Sequence, residues 1–316
     1  MIQTVLGPVE SQELGHCQCH EHLFIRKGRS FELNPALCME DINKSTDELI
    51  LYKNSLGKSL VDAQPVGCGR MADYLAGASQ DSGVNIIAST GFHKLIFYRE
   101  GHWIHSIGRN ELAGLFVEEL RNGMYTDGDS RFPSSGISSR AGIIKTAAAG
   151  EGVAGEYKKL FFAAASASLQ TGAPIMCHLE NRKDALSIVE FFTGFGVPPS
   201  KIILCHLDRA FYDAGFHIEM AEKGVYLEYD TVGRFKYHSD ETEIELIKQL
   251  VSSGHTERIL LGLDTTNLRL KSYGGEIGLD YILKTFMGKM LKAGISEEAV
   301  RKFTVKNPAK ALEINF

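Results

Sequence analysis

A basic surplus is missing from this sequence. Its 316 residues carry 34 Lys and Arg against 39 Asp and Glu, a formal charge of −5. No excess positive charge is available to neutralise the phosphates of a nucleic acid or an anionic membrane surface. No apolar run approaches the length of a membrane-spanning helix, and the opening MIQTVLGPVE has no charged stretch followed by an apolar core. The expectation is a soluble, cytoplasmic protein with no nucleic-acid or membrane partner. A cysteine framework is missing too. Cys17, Cys19, Cys38, Cys68, Cys177 and Cys205 follow no regular spacing and read as reduced thiols. There is no repeat of fixed period and no low-complexity segment. What is present is 44% hydrophobic residues over a chain long enough to bury a large core.

Short apolar runs alternate with amphipathic stretches along the chain. Strands are expected near His20–Phe24, Ser59–Asp62, Val84–Thr90, Ala141–Lys145, Pro174–His178, Lys201–His206, Val225–Tyr229 and Arg258–Leu263. Helical patterns fall between them at Arg70–Asp81, Glu111–Asn122, Gly155–Thr171, Arg182–Phe195, Arg209–Lys223, Asp240–Ser253 and Tyr281–Ala293. VNIIAST and KIILCH are continuously apolar, as expected of strands covered on both faces. Eight strands alternating with helices in one domain spanning 1–316 predict a (β/α)8 TIM barrel with its active site at the C-terminal strand ends. A doubly wound open sheet is the alternative, but no G-x-G-x-x-G follows the first strand. Residues 25–57 and 94–108 read as loop insertions on the active face. The tail SEEAVRKFTVKNPAKALEI reads as two short helices, with Asn307 capping the second and Pro308 opening it.

The polar residues at the strand ends carry the functional signal. In CQCHEHLFI, His20 and His22 are two apart, which on a strand aims both imidazoles to one side. Lys145 closes RAGIIK, His178 closes APIMCH, His206 closes KIILCH, and Asp264 follows RILLGL. One such terminus is ordinary, since a histidine there is more often hydrogen-bonded than liganded. Five strands that share it converge at one barrel mouth and predict a metal centre. Cys19, Cys177 and Cys205 each precede one of these histidines. Strand alternation then predicts that the cysteines, Cys17 with them, point outward with Glu21 and pack as small hydrophobes. Lys145 is discordant, because a protonated amine repels cations. A desolvated neutral amine can instead take up carbon dioxide as an anionic carbamate. The competing reading is a buried lysine paired with an acid.

HEHL, STGFH, RAGIIKTA, TGAPIMCH, HLDR and LLGLD, in this order at these strand ends, resemble the phosphotriesterase-like branch of the amidohydrolase superfamily. Weaker matches at IQTVLGPVE, LVDAQPVGCGR, SYGGEIGLDYIL and NPAKAL extend the resemblance over nearly the whole chain. It implies a binuclear centre of divalent ions, zinc first and manganese, cobalt or iron as alternatives. His20, His22 and Asp264 would hold the deeper metal, His178 and His206 the more exposed one, and carbamylated Lys145 would bridge them. Such a pair lowers the pKa of a bridging water and polarises the oxygen under attack, with Asp264 as the general base. Asp208 either supports this site by hydrogen bonding or simply begins a helix with Arg209.

Basic residues follow several strand ends: Lys94 and Arg99, Arg234 and Lys236, Arg269 and Lys271. Each is either solvated loop charge or part of an anion-recognising wall. The family includes lactonases acting on phosphorylated sugar lactones, and the resemblance matches Lys236, Arg269 and Tyr273 to their substrate contacts. His93 stands where an aromatic hydroxyl is expected. The expectation is a metal-dependent hydrolase, a lactonase for a small anionic lactone, working on a small-molecule substrate, with a homodimer allowed. An amidase or esterase of the same family is the alternative. A catalytically silent binding barrel is disfavoured, because binding alone does not require Asp264.

Overall fold

The computed structural model describes residues 1–210 and 213–314. An antiparallel hairpin, β1 (Ile2–Thr4) and β2 (Gly7–Val9), opens the chain. Eight parallel strands follow and lie in sequence order in one sheet: β3 (Cys17–Glu21), β4 (Ser59–Asp62), β5 (Asn85–Gly91), β6 (Ile143–Ala147), β7 (Ile175–His178), β8 (Ile202–Cys205), β9 (Tyr226–Tyr229) and β10 (Ile259–Leu261). Helices lie between successive strands, and the sheet curls until β10 meets β3. The Asp264 N–H donates to His20 O at 3.0 Å, and the Leu263 N–H to Glu21 Oε1 at 2.9 Å. Gly262 is needed at this seam, since a Cβ there would stand 3.0 Å from His20 N, O and Cβ. The result is a nearly closed (β/α)8 barrel, as the alternation predicts.

Two apolar layers follow from strand alternation. Val61, Ile87, Ile143, Met176, Ile203 and Leu260 fill the interior, closed below by Ile2, Leu14 and Leu312. Leu60, Ile86, Ile144, Ile175, Leu204 and Leu227 pack against the helices.

Several expected elements shift. The first strand begins at Cys17, three residues before the expected start. Segment 25–57 carries two helices, Arg29–Leu33 and Ile42–Asn54. Asp41 caps the second by accepting from Asn43 N and Lys44 N, and Ser45, Glu48, Leu49 and Tyr52 form its buried stripe. The expected helix Arg209–Lys223 is two, Leu207–Ala210 and Ala214–Glu222, with Phe211 and Tyr212 outside the described residues. The two expected C-terminal helices form one unbroken run, Glu297–Arg301, a π turn Lys302–Lys306 and Asn307–Ala311, capped only at its start, where the Ser296 side chain accepts from Ala299 N. Asn307 is helical and sends its Nδ2 to Thr256 O and Ile259 O, pinning the helix to the base of β10.

The inward-facing set also needs correction. Cys17, Cys19 and Cys205 pack in the barrel interior, and of the three His-preceding cysteines only Cys177 joins the outer layer. Strict alternation fails at two places. The β3–β4 register shifts between Gln18 and Glu21, a bulge that lets Cys19 and His20 both serve the interior. His206 adopts φ 61, a left-handed turn that swings its ring over the mouth although Cys205 already faces inward.

Candidate metal centre and catalytic cavity

The strand ends bring His20, His22, Lys145, His178, His206 and Asp264 around one cavity of about 190 Å³ at the barrel mouth. Asp264 Oδ1 stands 3.5 Å from His22 Nε2 and 3.9 Å from His20 Nε2. Ligand atoms at zinc-like bond lengths on one tetrahedral ion lie about 3.4 Å apart, so these three donors can share a cation with little movement. The ring centroids of His178 and His206 are 4.3 Å apart, and those of His20 and His206 are 4.9 Å apart.

Three of the four histidines commit one ring nitrogen to a carboxylate. His20 Nδ1 meets Glu228 Oε2 at 2.8 Å and Asp230 Oδ2 at 3.2 Å. His206 Nδ1 meets Asp230 Oδ1 at 2.7 Å, and His178 Nε2 meets Glu180 Oε1 at 2.8 Å. Each carboxylate fixes the tautomer and leaves the opposite nitrogen as a lone pair for a ligand. The His206 N–H also donates to Asp230 Oδ2 at 2.9 Å. One carboxylate thereby holds both the ring and the left-handed backbone of this residue. Asp264 is left-handed as well, at φ 47. Two strained residues at the mouth, each fixed by a backbone hydrogen bond, mark where the fold gives up local comfort for orientation.

Charge at the site is unbalanced. Burial pushes the Glu228 carboxyl up. Burial also opposes ionisation of Asp264, but Arg234 and the neighbouring histidines outweigh it and hold that carboxyl well below the usual range. Burial holds the His178, His206 and His93 imidazoles well below their ordinary value, in the neutral form a metal ligand needs. His20 differs: burial and Lys145 resist its charge, yet Glu228 and Asp230 prevail and lift it to about 9. That environment calls for positive charge at His20 Nε2, which a bound cation supplies in place of a proton. The donor set therefore fits divalent metal.

Lys145 is buried, with Nζ 3.1 Å from His20 Nε2. Among the described residues no carboxylate pairs with it, so the acid-paired reading of this lysine is not what the fold builds.

The sequence model of the phosphotriesterase family matches residues 1–312. The chain belongs to the phosphotriesterase family. It is 31% identical to a phospho-furanose lactonase of Mycoplasmopsis synoviae over 98% of this chain and 91% of the relative. It is 27% identical to an N-acetyltaurine hydrolase of Xenopus tropicalis, over 98% and 97% of the two chains. Among solved structures, an amidohydrolase from Mycoplasma synoviae superposes with TM-score 0.94 at 30% identity, over 99% of this chain and 92% of the other. A phosphotriesterase homology protein from Escherichia coli, complexed with phosphate in its active site, gives 0.86 at 26% identity, over 95% and 99%. The chain is an enzyme of hydrolase type.

Of the four expected substrate contacts, Lys236 and His93 line the cavity and two others do not. Arg269 turns inward and donates to the carbonyls of Leu263 and Val232, the latter at 2.6 Å. Buried carbonyls at the loop bases of β9 and β10 compete for its guanidinium and win. The Tyr273 hydroxyl bonds with Ser45 Oγ at 2.9 Å and donates to Asp41 O at 3.1 Å, at the helix Ile42–Asn54. Asp208 begins a helix, as one of its two readings expects. It lies in the helix Leu207–Ala210, and it accepts from Thr231 N and Oγ1 at 2.7 and 2.8 Å, bracing the residue after Asp230.

Sequence reasoning missed Glu228, Asp230 and Glu180. A signal existed for the first two: VYLEYD places carboxylates two apart in an apolar strand, hence on one face, as HEH places its histidines. Arg234, read as loop charge or anion recognition, grips Asp264 with Nη1 2.5 Å from Oδ2 and Nη2 2.9 Å from its carbonyl.

Proposed function

We propose that the protein is a metal-dependent lactonase for a small anionic lactone, with a phosphorylated sugar lactone as the favoured substrate. One observation carries the reading. The cavity has the ligand cluster as its floor and Lys94, Arg209, Arg234 and Lys236 in its walls, with Asp264 the single carboxylate among the described lining residues. The lactonase relatives and the phosphate bound in the E. coli homologue support it.

His20, His22 and Asp264 would hold one divalent ion and His178 and His206 a second, with a carbamate on Lys145 between them. Zinc is the expected metal, with manganese, cobalt or iron as alternatives set by availability. When bound, such ions acidify a water and polarise the carbonyl under attack. The carbamate would form as the Lys145 amine adds to carbon dioxide and releases a proton. Asp264 takes a proton through Oδ1 while Arg234 occupies Oδ2, so only one oxygen faces the cluster. Lys236 is exposed at the cavity wall, with Nζ 4.7 Å from the Tyr237 ring and no carboxylate partner among the described residues. We assign it the substrate anion. His93 stacks on Phe97 at 4.1 Å and forms an apolar wall rather than supplying a hydroxyl. Six cysteine thiols, five of them buried, suit the reducing cytoplasm.

Lys236→Ala is expected to raise KM for a phosphorylated lactone about tenfold, the cost of one charge-assisted contact, and to leave a neutral lactone near its original KM. Equal effects on the two lactones would remove the anion assignment. An amidase acting on an anionic N-acyl compound is the second reading, favoured by the N-acetyltaurine hydrolase relatives. Amide turnover without lactone turnover would select it.

A further inference from the structure

A second cavity, of about 420 Å³, lies beside the catalytic one and is larger than it. Ser30 and Phe97 line both, so the two spaces share a wall. The second space is built from the loops after β3, β4 and β5 together with Asp129. Lys236, Arg209 and Arg234 come instead from the loops after β8 and β9. The cluster thus lies between two cationic walls.

The second cavity carries Arg26, Lys27, Arg29 and Arg99 against Asp129, the only carboxylate among its described lining residues. These cations are not equally available. Arg26 is held by Asp129 at 2.9 Å, and Asp129 also accepts the Gly69 N–H at 2.7 Å. Arg29 is tied to Glu32 at 3.3 Å and to Ile96 O at 3.1 Å. Arg99 shares Glu32 with Arg29, so two guanidinium groups divide one carboxylate. Lys27 has its Nζ 4.9 Å from the Phe31 ring and no ion pair among the described residues, while its backbone N–H donates to Glu40 Oε1 at 2.8 Å. The cavity therefore keeps a surplus of positive charge with Lys27 and Arg99 as its accessible donors. A low-dielectric wall such as Phe97 strengthens that field on the side facing the cluster.

We propose that this side cavity is a second anion subsite, binding a phosphate or carboxylate at the end of the substrate remote from Lys236. The proposal rests on the lactonase reading and narrows it to substrates with anionic groups at both ends. A ring at the cluster with one charged arm toward Lys236 leaves the opposite arm pointing past Ser30 into the Lys27 and Arg99 wall. A singly charged lactone fills the catalytic cavity alone and gains nothing from this wall.

The test compares a furanose lactone bearing one phosphate with one bearing two, on the metal-loaded wild type and the K27A/R99A double variant. Both residues are exposed, so the variant is expected to fold, which its melting temperature and metal content check. The expected result is a KM ratio, bisphosphorylated over monophosphorylated, that rises about tenfold in the double variant with kcat held. A ratio that does not move overturns the subsite. If the wild type opens neither lactone, the lactonase reading fails instead. The subsite is then judged by calorimetric binding of the ring-opened bisphosphorylated sugar acid. A tenfold weaker affinity in K27A/R99A sustains it, and an unchanged affinity overturns it.

Discussion

At the scale of single residues, the site depends on carboxylates that touch no substrate. Asp230 bonds the rings of both His20 and His206 and the backbone of the latter, so two candidate ligands lose their orientation when it is removed. Asp230→Ala is expected to weaken metal affinity by about tenfold to a hundredfold, read by metal content after dialysis against a graded chelator. An unchanged metal content would make Asp230 a bystander. Arg269 is the instructive contrast. Its loop position makes it look like a substrate contact, yet its guanidinium serves two buried carbonyls. Arg269→Ala should lower thermal stability while leaving the KM ratio between charged and neutral lactones untouched. His16 sets a pH limit on the fold itself. Burial lowers its imidazole to about 4, while a ring in the unfolded chain titrates near 6.5. A depressed histidine stabilises the fold fully above the unfolded value. That stability is lost as pH falls from about 6.5 toward 4, up to about 3 kcal/mol for one group. Urea unfolding at pH 7 and pH 4.5 should show the decline, and His16→Gln should flatten it.

At the scale of elements, close approaches and buried pairs hold the strand ends in place. Gly91 ends β5 with φ 102, and a Cβ there would overlap the Lys145 carbonyl on β6. Gly91→Ala must therefore push β6 aside and carry Lys145 with it. The expected outcome is loss of bound metal along with a lower melting temperature, and full metal occupancy in that variant would contradict the placement. Away from the mouth, Arg70 reaches Ser89 O at 2.9 Å and Glu119 Oε2 at 2.9 Å, both buried, and Tyr125 O at 2.8 Å. Arg70→Met strands Glu119 without its partner and is expected to cost about 3–5 kcal/mol, measurable by denaturant unfolding. The bulge in β3 and the left-handed turn at His206 explain which parts of the site were legible. His20, His22, Lys145, His178, His206 and Asp264 could be read because parallel strands of a barrel end together wherever each strand begins. The facing of Cys19 and Cys205 could not, because one bulge or one positive φ reverses the parity on which such a reading rests. Helix Ile42–Asn54 was hidden by its polar surface, although Asp41 and the buried Leu49 and Tyr52 mark it.

At the scale of the whole molecule, the barrel supplies convergence and the loops supply selectivity. Eight strands in sequence order place the candidate ligands, from residue 20 to residue 264, around one cavity, which is why the order of motifs was informative over the whole chain. The substrate walls are less regular. They come from loops whose cations divide among carboxylates, carbonyls and solvent, and sequence position does not reveal which partner each one takes. Among the described residues no helix is long and apolar enough to cross a membrane. The central claim is that one chain binds two divalent ions and uses them to open an anionic lactone. The most direct measurement follows hydrolysis of a phosphorylated furanose lactone by protein of known metal content, before chelation, after it, and after zinc is returned with bicarbonate. The account expects two ions per chain in the active protein, loss of activity with the metal, and recovery on its return. Equal lactone hydrolysis by the metal-free protein, or none by the fully loaded one, would contradict it.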